Sequence, residues 1–272
     1  MDVGGAVCIV TGASSGIGEA TARRLTDEGA TVILAARRAD RLERLAAELP
    51  NALAAPTDVT DPAQVERLVA RALATYGRID VLVNDAGQGL HVPVLDLDPG
   101  DLRAVFELNV IAPLALMQAV LPGMRARSQG AIVNVSSATS LRVFPGLGGY
   151  SATKAALNML SQIARLEFAE AGVSVSVVYP SVTATAFHQN LRAGALARGA
   201  WGIIPDPPEL AADAIIFAIT SGEAHVLVAD PPRPIVPGGD AWGALLARKS
   251  PGAAHPDVTP STGRGEHGTT SR

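Results

Sequence analysis

The 272 residues are 48% hydrophobic and 18% charged, enough to bury a sizeable core, and with aromatics at 4% that core must be filled by Ala, Val, Leu and Ile. A formal charge of -4 without a long basic run gives no footprint for nucleic acid or for an anionic membrane surface. The single cysteine, Cys8, excludes an internal disulfide and fits a strand interior.

Asp2 and the early Gly pair do not make the basic start of a secretory leader, and VCIVTG is too short for its apolar stretch. Pro113, Gln118 and Pro122 interrupt the best apolar run, so no membrane span is expected. A soluble, cytoplasmic protein is the expectation.

Along the chain, AVCIVT at 6–11 is a continuous apolar run ending at a glycine turn, as for a strand covered on both faces. Helical periodicity runs from Ile17 to Glu28 and stops at Gly29. TVILAA (31–36) predicts a second buried strand, and Asp40 is expected to cap a helix with Leu42, Leu45 and Leu49 on one side. A short strand in ALAAPT precedes a helix announced by Asp61-Pro62, whose apolar face is Val65, Leu68, Val69 and Leu73.

IDVLVN (79–84) predicts the fourth strand, and Asp98-Pro99 opens a helical stretch through Leu116 and Val120. AIVNVS (131–136) and SVSVVY (174–179) predict strands five and six, with a helix containing Tyr150 between them. A helix over Pro208 to Thr220 and a short strand, HVLVA (225–229), complete the pattern. This alternation predicts an α/β fold: a doubly wound parallel sheet of about seven strands between two helical layers, in one domain over 1–247.

Two regions break the rhythm. Residues 183–207 lack a strand and predict a small substrate lid over the C-terminal edge of the sheet, where ligands of such folds bind. Residues 248–272 are rich in Pro, Gly, Ser and Thr and predict a disordered tail.

The chemistry-bearing residues sit on this frame. TGASSGIG, from Thr11 to Gly18, lies between a strand and a helix, where small residues let the main chain approach a pyrophosphate at a helix N-terminus. Gly12, Ser14, Ser15, Gly16, Ile17 and Gly18 are therefore candidate cofactor contacts. Tyr150 and Lys154, in GGYSATK, are one helical turn apart, so the ammonium can lie beside the phenol and lower its pKa. That arrangement suits a general acid. Strand two ends VILAARR, with Ala36 where an acidic residue would bind a ribose 2′-hydroxyl and Arg37 and Arg38 just beyond. Guanidinium groups favour a 2′-phosphate, so NADP(H) is expected, with Arg37 as the closer of the two.

The TGxxxGxG spacing together with Tyr150 and Lys154 resembles the short-chain dehydrogenase/reductase family over roughly residues 4 to 235. Further matching stretches are DVTD at Asp58, NDAG at Asn84–Gly87, Asn109 in ELNV, Ser137 in NVSS and PSVTAT from Pro180. The resemblance implies a three-layer Rossmann-like domain and a catalytic set of Asn109, Ser137, Tyr150 and Lys154. In that set Ser137 bonds the substrate carbonyl, and Asn109 holds a water in a relay to Lys154. It places Asp58 and Val59 along the adenine, Asn84, Ala86 and Gly87 beneath the cofactor, and Pro180, Val182 and Thr185 near the carboxamide. It also implies a homodimer or homotetramer paired through the apolar helices 101–126 and 150–170.

Other roles are open for some of these residues. Ser136 is the neighbouring candidate serine, though strand alternation turns it opposite to Ser137. Asn109 can cap or bend its helix, and Asp58 can begin a turn. His91, His188 and His225 have no metal-like spacing and read as surface or lid residues, so no metal is expected.

Two departures from the family pattern are visible: Asp85 stands where Asn is usual and Ser181 where Gly is usual. The first changes an amide donor for an acceptor and leaves open how its loop is tied down; the second removes easy access to positive φ.

The expected activity is reduction of a ketone or aldehyde to an alcohol, reversibly. The substrate walls are expected to be Gln88, Leu90, Val143, Phe144, Leu147, Phe187 and Leu191, a mostly apolar set. The alternatives are a non-catalytic NADP-binding regulator on the same fold and an epimerase or dehydratase that recycles its nicotinamide.

Overall fold

The computed structural model describes residues 1–195 and 204–236. Seven parallel strands run in the order β3-β2-β1-β4-β5-β6-β7. They are β1 Val7–Thr11, β2 Thr31–Ala36, β3 Ala52–Pro56, β4 Val81–Asn84, β5 Gly130–Val135, β6 Val173–Tyr179 and β7 His225–Leu227. A two-residue strand, β8 (Arg233–Pro234), adds antiparallel to β7 and makes the sheet eight-stranded. The sequence reading missed it because two residues, one a proline, carry no periodicity.

The strand interiors are mostly apolar because each face has its own helical layer. Cys8, Val10, Val32, Leu34, Val83 and Val133 pack with Leu25, Leu42 and Ile215 of helices α1 (Gly16–Asp27), α2 (Ala39–Glu48) and α7 (Pro208–Ser221). The alternate residues Ile9, Ile33, Leu82, Ile132 and Val175 pack with Leu68, Leu116 and Ala164. Those three come from α3 (Pro62–Tyr76), α5 (Ala112–Ala126) and α6 (Gly148–Phe168). One period-two alternation thus feeds two cores at once.

Helix ends follow the residues expected of them, with one exception. The Asp61 carboxylate accepts the Ala63 and Gln64 amides, and Asp98 accepts that of Asp101 at the start of α4 (Pro99–Phe106). Asp40, in contrast, is not a cap: α2 begins at Ala39 with Arg38 in the cap position, and Asp40 pairs with Arg44 along the helix face.

Pro113 and Pro122 do not interrupt the helical run either. Pro113 opens α5 directly after the π-helical turn Glu107–Ile111, and Pro122 lies inside α5; the helical run continues through both. Within the continuous run Pro99–Ala126 an 18-residue stretch reaches a mean hydropathy of 1.8, so this helix is long and apolar enough to span a membrane by length and composition alone, although the sequence expected its prolines to break it. Its apolarity has a use within the fold, since Leu116, Met117, Val120 and Met124 are buried under the sheet.

After β3 the chain crosses to the opposite edge of β1 to begin β4, so the strand order reverses between β1 and β4. A crevice opens there beyond the carboxyl ends of the strands, the place where doubly wound sheets bind ligands. The predicted lid begins as one 3-10 turn, Ala186–Gln189, and its base is closed by Ala184 N–H to Asp206 O and Asp206 N–H to Val182 O, both 2.8 Å. Residues 196–203 of the lid and the whole predicted tail, 248–272, lie outside the described residues.

Candidate active site

A single cavity of about 750 Å³ follows the crevice from the glycine turn to Tyr150. At its first end the main chain forms the wall. Gly12 has φ 69°, and a Cβ there would come within 3.0 Å of the Ala86 nitrogen; Gly16 has φ 61° and would press on Thr185. Ser15, the N-cap of α1, makes no side-chain capping bond, so the amides at Gly16 and Ile17 remain for an anion. The cradle of positive-φ glycines and open amides fits a dinucleotide pyrophosphate.

The NDAG loop is tied to this turn through Thr11. Its hydroxyl oxygen accepts the amides of Asp85 (3.0 Å) and Ala86 (3.1 Å) and its O–H donates to Val83 O (3.3 Å). The loop is held without the amide that Asp85 lacks. The Asp85 carboxylate instead accepts the Gly18 N–H; loss of solvent pushes its pKa up to about 7, against the opposing pull of Lys154. Ser181 likewise needs no glycine: among the described residues the non-glycine positive-φ positions are Asn51 and Ser128.

Beside the glycine turn, Arg38 reaches back across the end of β2. Its Nε and Nη2 donate to Ser14 Oγ at 3.1 and 2.8 Å, and Nη2 also donates to Ser15 Oγ at 2.7 Å. Arg37 lines the cavity too, but is exposed. The sequence favoured Arg37 by adjacency; the fold turns Arg38 onto the loop. Asp58 and Val59 line the same end, and the Asp58 carboxylate also braces the turn by accepting from Thr60 N–H and Oγ1.

At the other end, α6 presents Tyr150 and Lys154 from its first two turns, 7% and 4% exposed. The Lys154 ammonium donates to Val135 O at 2.8 Å and lies 5.9 Å from the centre of the Tyr150 ring. Burial lowers Lys154 to about 8, opposed by the Asp85 carboxylate. The phenol departs from the sequence expectation. Burial raises its pKa, Asp85 raises it further, and the Ser137 hydroxyl works in the opposite direction. The resting tyrosine is a protonated phenol.

Ser137 follows β5 and faces the cavity, with its Oγ accepting from Thr139 N–H (3.2 Å) and Thr139 Oγ1 (2.9 Å). Ser136 donates to Asn158 Oδ1 at 2.5 Å, on the side toward α6.

Five residues expected to touch a ligand do not line the cavity. Asn84 is 2% exposed and donates to Asn134 Oδ1 at 2.8 Å, a rung between β4 and β5. Gly18 lies behind the turn, where a Cβ would sit 2.6 Å from Gly12 O. Leu90 is fully buried and packs behind Tyr150 with Val105. Val143 is 92% exposed on the outer side of its loop.

Asn109, the fifth, is fully buried in a π-helical turn, Glu107–Ile111, between α4 and α5. Its Oδ1 accepts Gln88 N–H (2.9 Å), and its Nδ2 donates to Gln88 O (2.9 Å) and Thr153 Oγ1 (3.0 Å). Its side chain clamps the loop after β4 to α6, since Thr153 in turn donates to Tyr150 O at 2.7 Å. The extra residue of a π turn aims it there.

The other expected residues line the cavity: Ile17, Gly87, Gln88, Phe144, Leu147, Pro180, Val182, Thr185, Phe187 and Leu191. Two that the sequence set aside join them. His91, 8% exposed, and His188 both face Tyr150's end of the cavity, whereas His225 is elsewhere, bonded to Tyr179 Oη at 2.8 Å. The signal that could have found His91 is position: a polar residue in the loop leaving β4 falls at the ligand edge whatever its spacing from other histidines. Among the described residues no metal-binding cluster is present.

Comparison with known proteins agrees with this geometry. A family model described as short chain dehydrogenase matches residues 6–195. An uncharacterized oxidoreductase of Staphylococcus aureus (strain MW2) is 34% identical over 224 residues, 82% of this chain and 94% of the relative. A homologue of the same description in Staphylococcus haemolyticus is 34% identical, covering 84% and 96%.

Among solved structures, a short-chain dehydrogenase from Streptomyces avermitilis is 35% identical with a TM-score of 0.76, covering 90% of this chain and 92% of that one. A 3-ketoacyl-(acyl-carrier-protein) reductase from Brucella melitensis, solved with NADH, has 28% identity and a TM-score of 0.76, covering 83% and 97%. By matched family, by relatives that share nearly their whole length, and by a sheet whose glycine turn and Tyr150 helix meet in one crevice, this chain belongs to the short-chain dehydrogenase/reductase family of oxidoreductases.

Proposed function

We propose that the protein is an NADP(H)-dependent reductase of ketones or aldehydes. The observation that carries this reading is the continuity of one cavity from the Gly12–Gly16 cradle to Ser137, Tyr150 and Lys154. Gly12 and Gly16 would hold the pyrophosphate of a nicotinamide dinucleotide, whose nicotinamide would supply the hydride at the Tyr150 end.

The chain's own part is the proton and the aim. The Tyr150 phenol, kept protonated by burial, delivers its proton to the carbonyl oxygen as charge develops there. The Ser137 hydroxyl donates to the same oxygen and fixes its position. Lys154, anchored on Val135 O, keeps a positive charge beside the phenol and supports the phenolate left behind. A tyrosine protonated at rest favours the reductive direction.

NADP(H) is preferred over NAD(H) because β2 ends in Ala36 rather than an acid, and because Arg38 is held on Ser14 and Ser15 with its Nη1 left to donate to a 2′-phosphate. The test is a panel of ketones and aldehydes reduced with each cofactor. NADPH should win by at least about tenfold in kcat/KM, which is about 1.4 kcal/mol. A preference for NADH at equal concentration would refute the assignment.

We also propose a homodimer or homotetramer in the cytoplasm. Met159, Ile163 and Leu166 form an exposed apolar stripe on α6, the last at 74% exposure, with Ile111 exposed nearby in the chain run preceding α5. A monomeric mass by sedimentation at micromolar concentration would reject the assembly.

A further inference from the structure

His91 and His188 enter the cavity from different segments, one from the loop after β4 and one from the 3-10 turn of the lid. Their ring centres are 5.7 Å apart, and the His91 ring stands edge-on to Tyr150 at 6.2 Å. Phe187 completes the group, 5.6 Å from Tyr150 and 5.5 Å from His188. The placement of His91 is built in. Its amide donates to Ala193 O at 3.1 Å, and the chain packs so closely at Gly194, φ 81°, that a side chain there would collide with the His91 carbonyl.

Neither Nδ1 has a hydrogen-bond partner among the described residues, and both are shielded from solvent. Buried polar atoms are nearly always paired, so two unpaired nitrogens on imidazoles that line the cavity mark side chains whose bonding a ligand completes once the rings turn toward it. The torsion that turns an imidazole is broad, so either ring nitrogen can be offered to the cavity.

The charge state narrows the ligand. Burial lowers both histidines, His91 to about 4 with His188 adding to the effect, so both rings are neutral near pH 7. Each then carries one N–H and one lone pair. Such a pair suits an uncharged oxygen that can accept from one ring and donate to the other, and it offers no countercharge to an acid. The His91 ring lies 6.2 Å from the Tyr150 ring, so an oxygen bonded by His91 belongs to a part of the substrate close to the carbonyl held by the phenol.

We propose that His91 and His188 form a subsite for a hydroxyl or second carbonyl oxygen on the carbon next to the reacting carbonyl, so that α-oxygenated ketones are the preferred substrate class. This rests on the reading of Tyr150 as proton donor. The remainder of the substrate lies against Phe144, Leu147 and Leu191, an apolar wall that accounts for bulk but not for the two imidazoles.

The test uses two ketones of equal shape, 2-hydroxy-1-phenylethanone and 1-phenylpropan-1-one, which differ by a hydroxyl in place of a methyl. With NADPH the wild-type enzyme should prefer the hydroxy ketone by at least about tenfold in kcat/KM, as expected where a site bonds a substrate hydroxyl. His91→Phe, which keeps an aromatic ring, should bring the ratio to within about twofold, with the larger loss falling on the hydroxy ketone. His91→Gln, which restores a donor and an acceptor, should recover part of the preference; His188→Phe should weaken it independently.

An equal fall on both ketones would assign His91 a purely structural role and overturn the subsite, as would an unchanged ratio. Calorimetric binding of both ketones to the Tyr150→Phe enzyme loaded with NADPH separates this from the reading beneath it. Binding selective for the hydroxy ketone and dependent on His91, without turnover of either ketone by the wild type, would sustain the subsite and overturn the reductase. Turnover with a ratio insensitive to His91 would do the reverse, and neither turnover nor selective binding would overturn both.

Discussion

At its glycine end the cavity is walled by main chain, with Gly12 and Gly16 at positive φ and the open amides of α1, whereas its Tyr150 end is walled by side chains from α6, β5 and two loops. The glycine turn of the first end is one contiguous stretch of sequence, flanked by Arg38 and Asp58 from the ends of the neighbouring strands. The second is assembled from segments between residues 88 and 192. A main-chain site must use residues that permit a backbone shape, so it leaves a compact signature; a side-chain site can draw any residue type from wherever the fold brings it close. The contrast predicts that changes at the two ends fail in different ways.

The largest effect should come from Tyr150→Phe. Only the phenolic oxygen is lost, so kcat should fall by about 10²–10⁴-fold while NADPH affinity, read by fluorescence titration, stays within about twofold. Retained turnover would remove Tyr150 as the proton donor. A parallel loss of NADPH affinity would mean the two ends are not separable as described.

Gly18→Ala should produce the complementary failure. Its Cβ would sit 2.6 Å from Gly12 O and 2.9 Å from the Asp85 carboxylate, and main chain cannot give way as a flexible side chain can. Overpacking of this kind costs about 1–3 kcal/mol, so the melting temperature should drop by roughly 2–12 °C along with cofactor affinity. A variant as stable as the wild type with normal NADPH binding would show the turn to be looser than its geometry.

The same contrast explains what could be read in the sequence. The seven parallel strands were legible because apolar runs bounded by turns repeat, and the glycine cradle because TGASSGIG stands between such a run and a helix. Tyr150 and Lys154 were legible as one helical turn. The ionisation of Tyr150 was not: adjacency to a cation argues for a lowered pKa, but the enclosure by Leu90 and Val105 that raises it is tertiary. Asn109 was legible as a family position, and its clamp between Gln88 and Thr153 only from the fold. His91 was hidden for the same reason, since its partner His188 is far away in sequence.

A smaller effect is expected at Arg38, a side chain placed at the main-chain end. If Arg38 meets the 2′-phosphate as proposed, Arg38→Ala should weaken NADPH in kcat/KM by about tenfold and leave NADH, which lacks that group, nearly unchanged. Arg37→Ala should matter less, as Arg37 is exposed. If Arg37→Ala produced the larger loss, the sequence-adjacent arginine would be the phosphate ligand after all.

Asp85 gives the smallest effect on turnover and tests the contrast most closely, since it places a buried carboxylate against the backbone of the glycine turn. Its native pKa of about 7 lies above an unfolded value of about 3.9. Between those values the native chain holds a proton that the unfolded chain has released, so stability falls as pH rises from about 4 to about 7 and changes little beyond. Lys154 acts at higher pH with the opposite slope: its native value of about 8 is below an unfolded value of about 10.4, so stability is regained as pH rises between them. Asp85→Asn keeps an acceptor for the Gly18 N–H and removes the titration. Thermal melts of the cofactor-free protein should therefore coincide for variant and wild type near pH 4 and separate by at least ~3 °C in favour of the variant by pH 7.5. A difference that does not change over that range would mean the Asp85 carboxylate is solvated when ionised, and that the backbone-built end of the cavity accommodates a side-chain charge without cost.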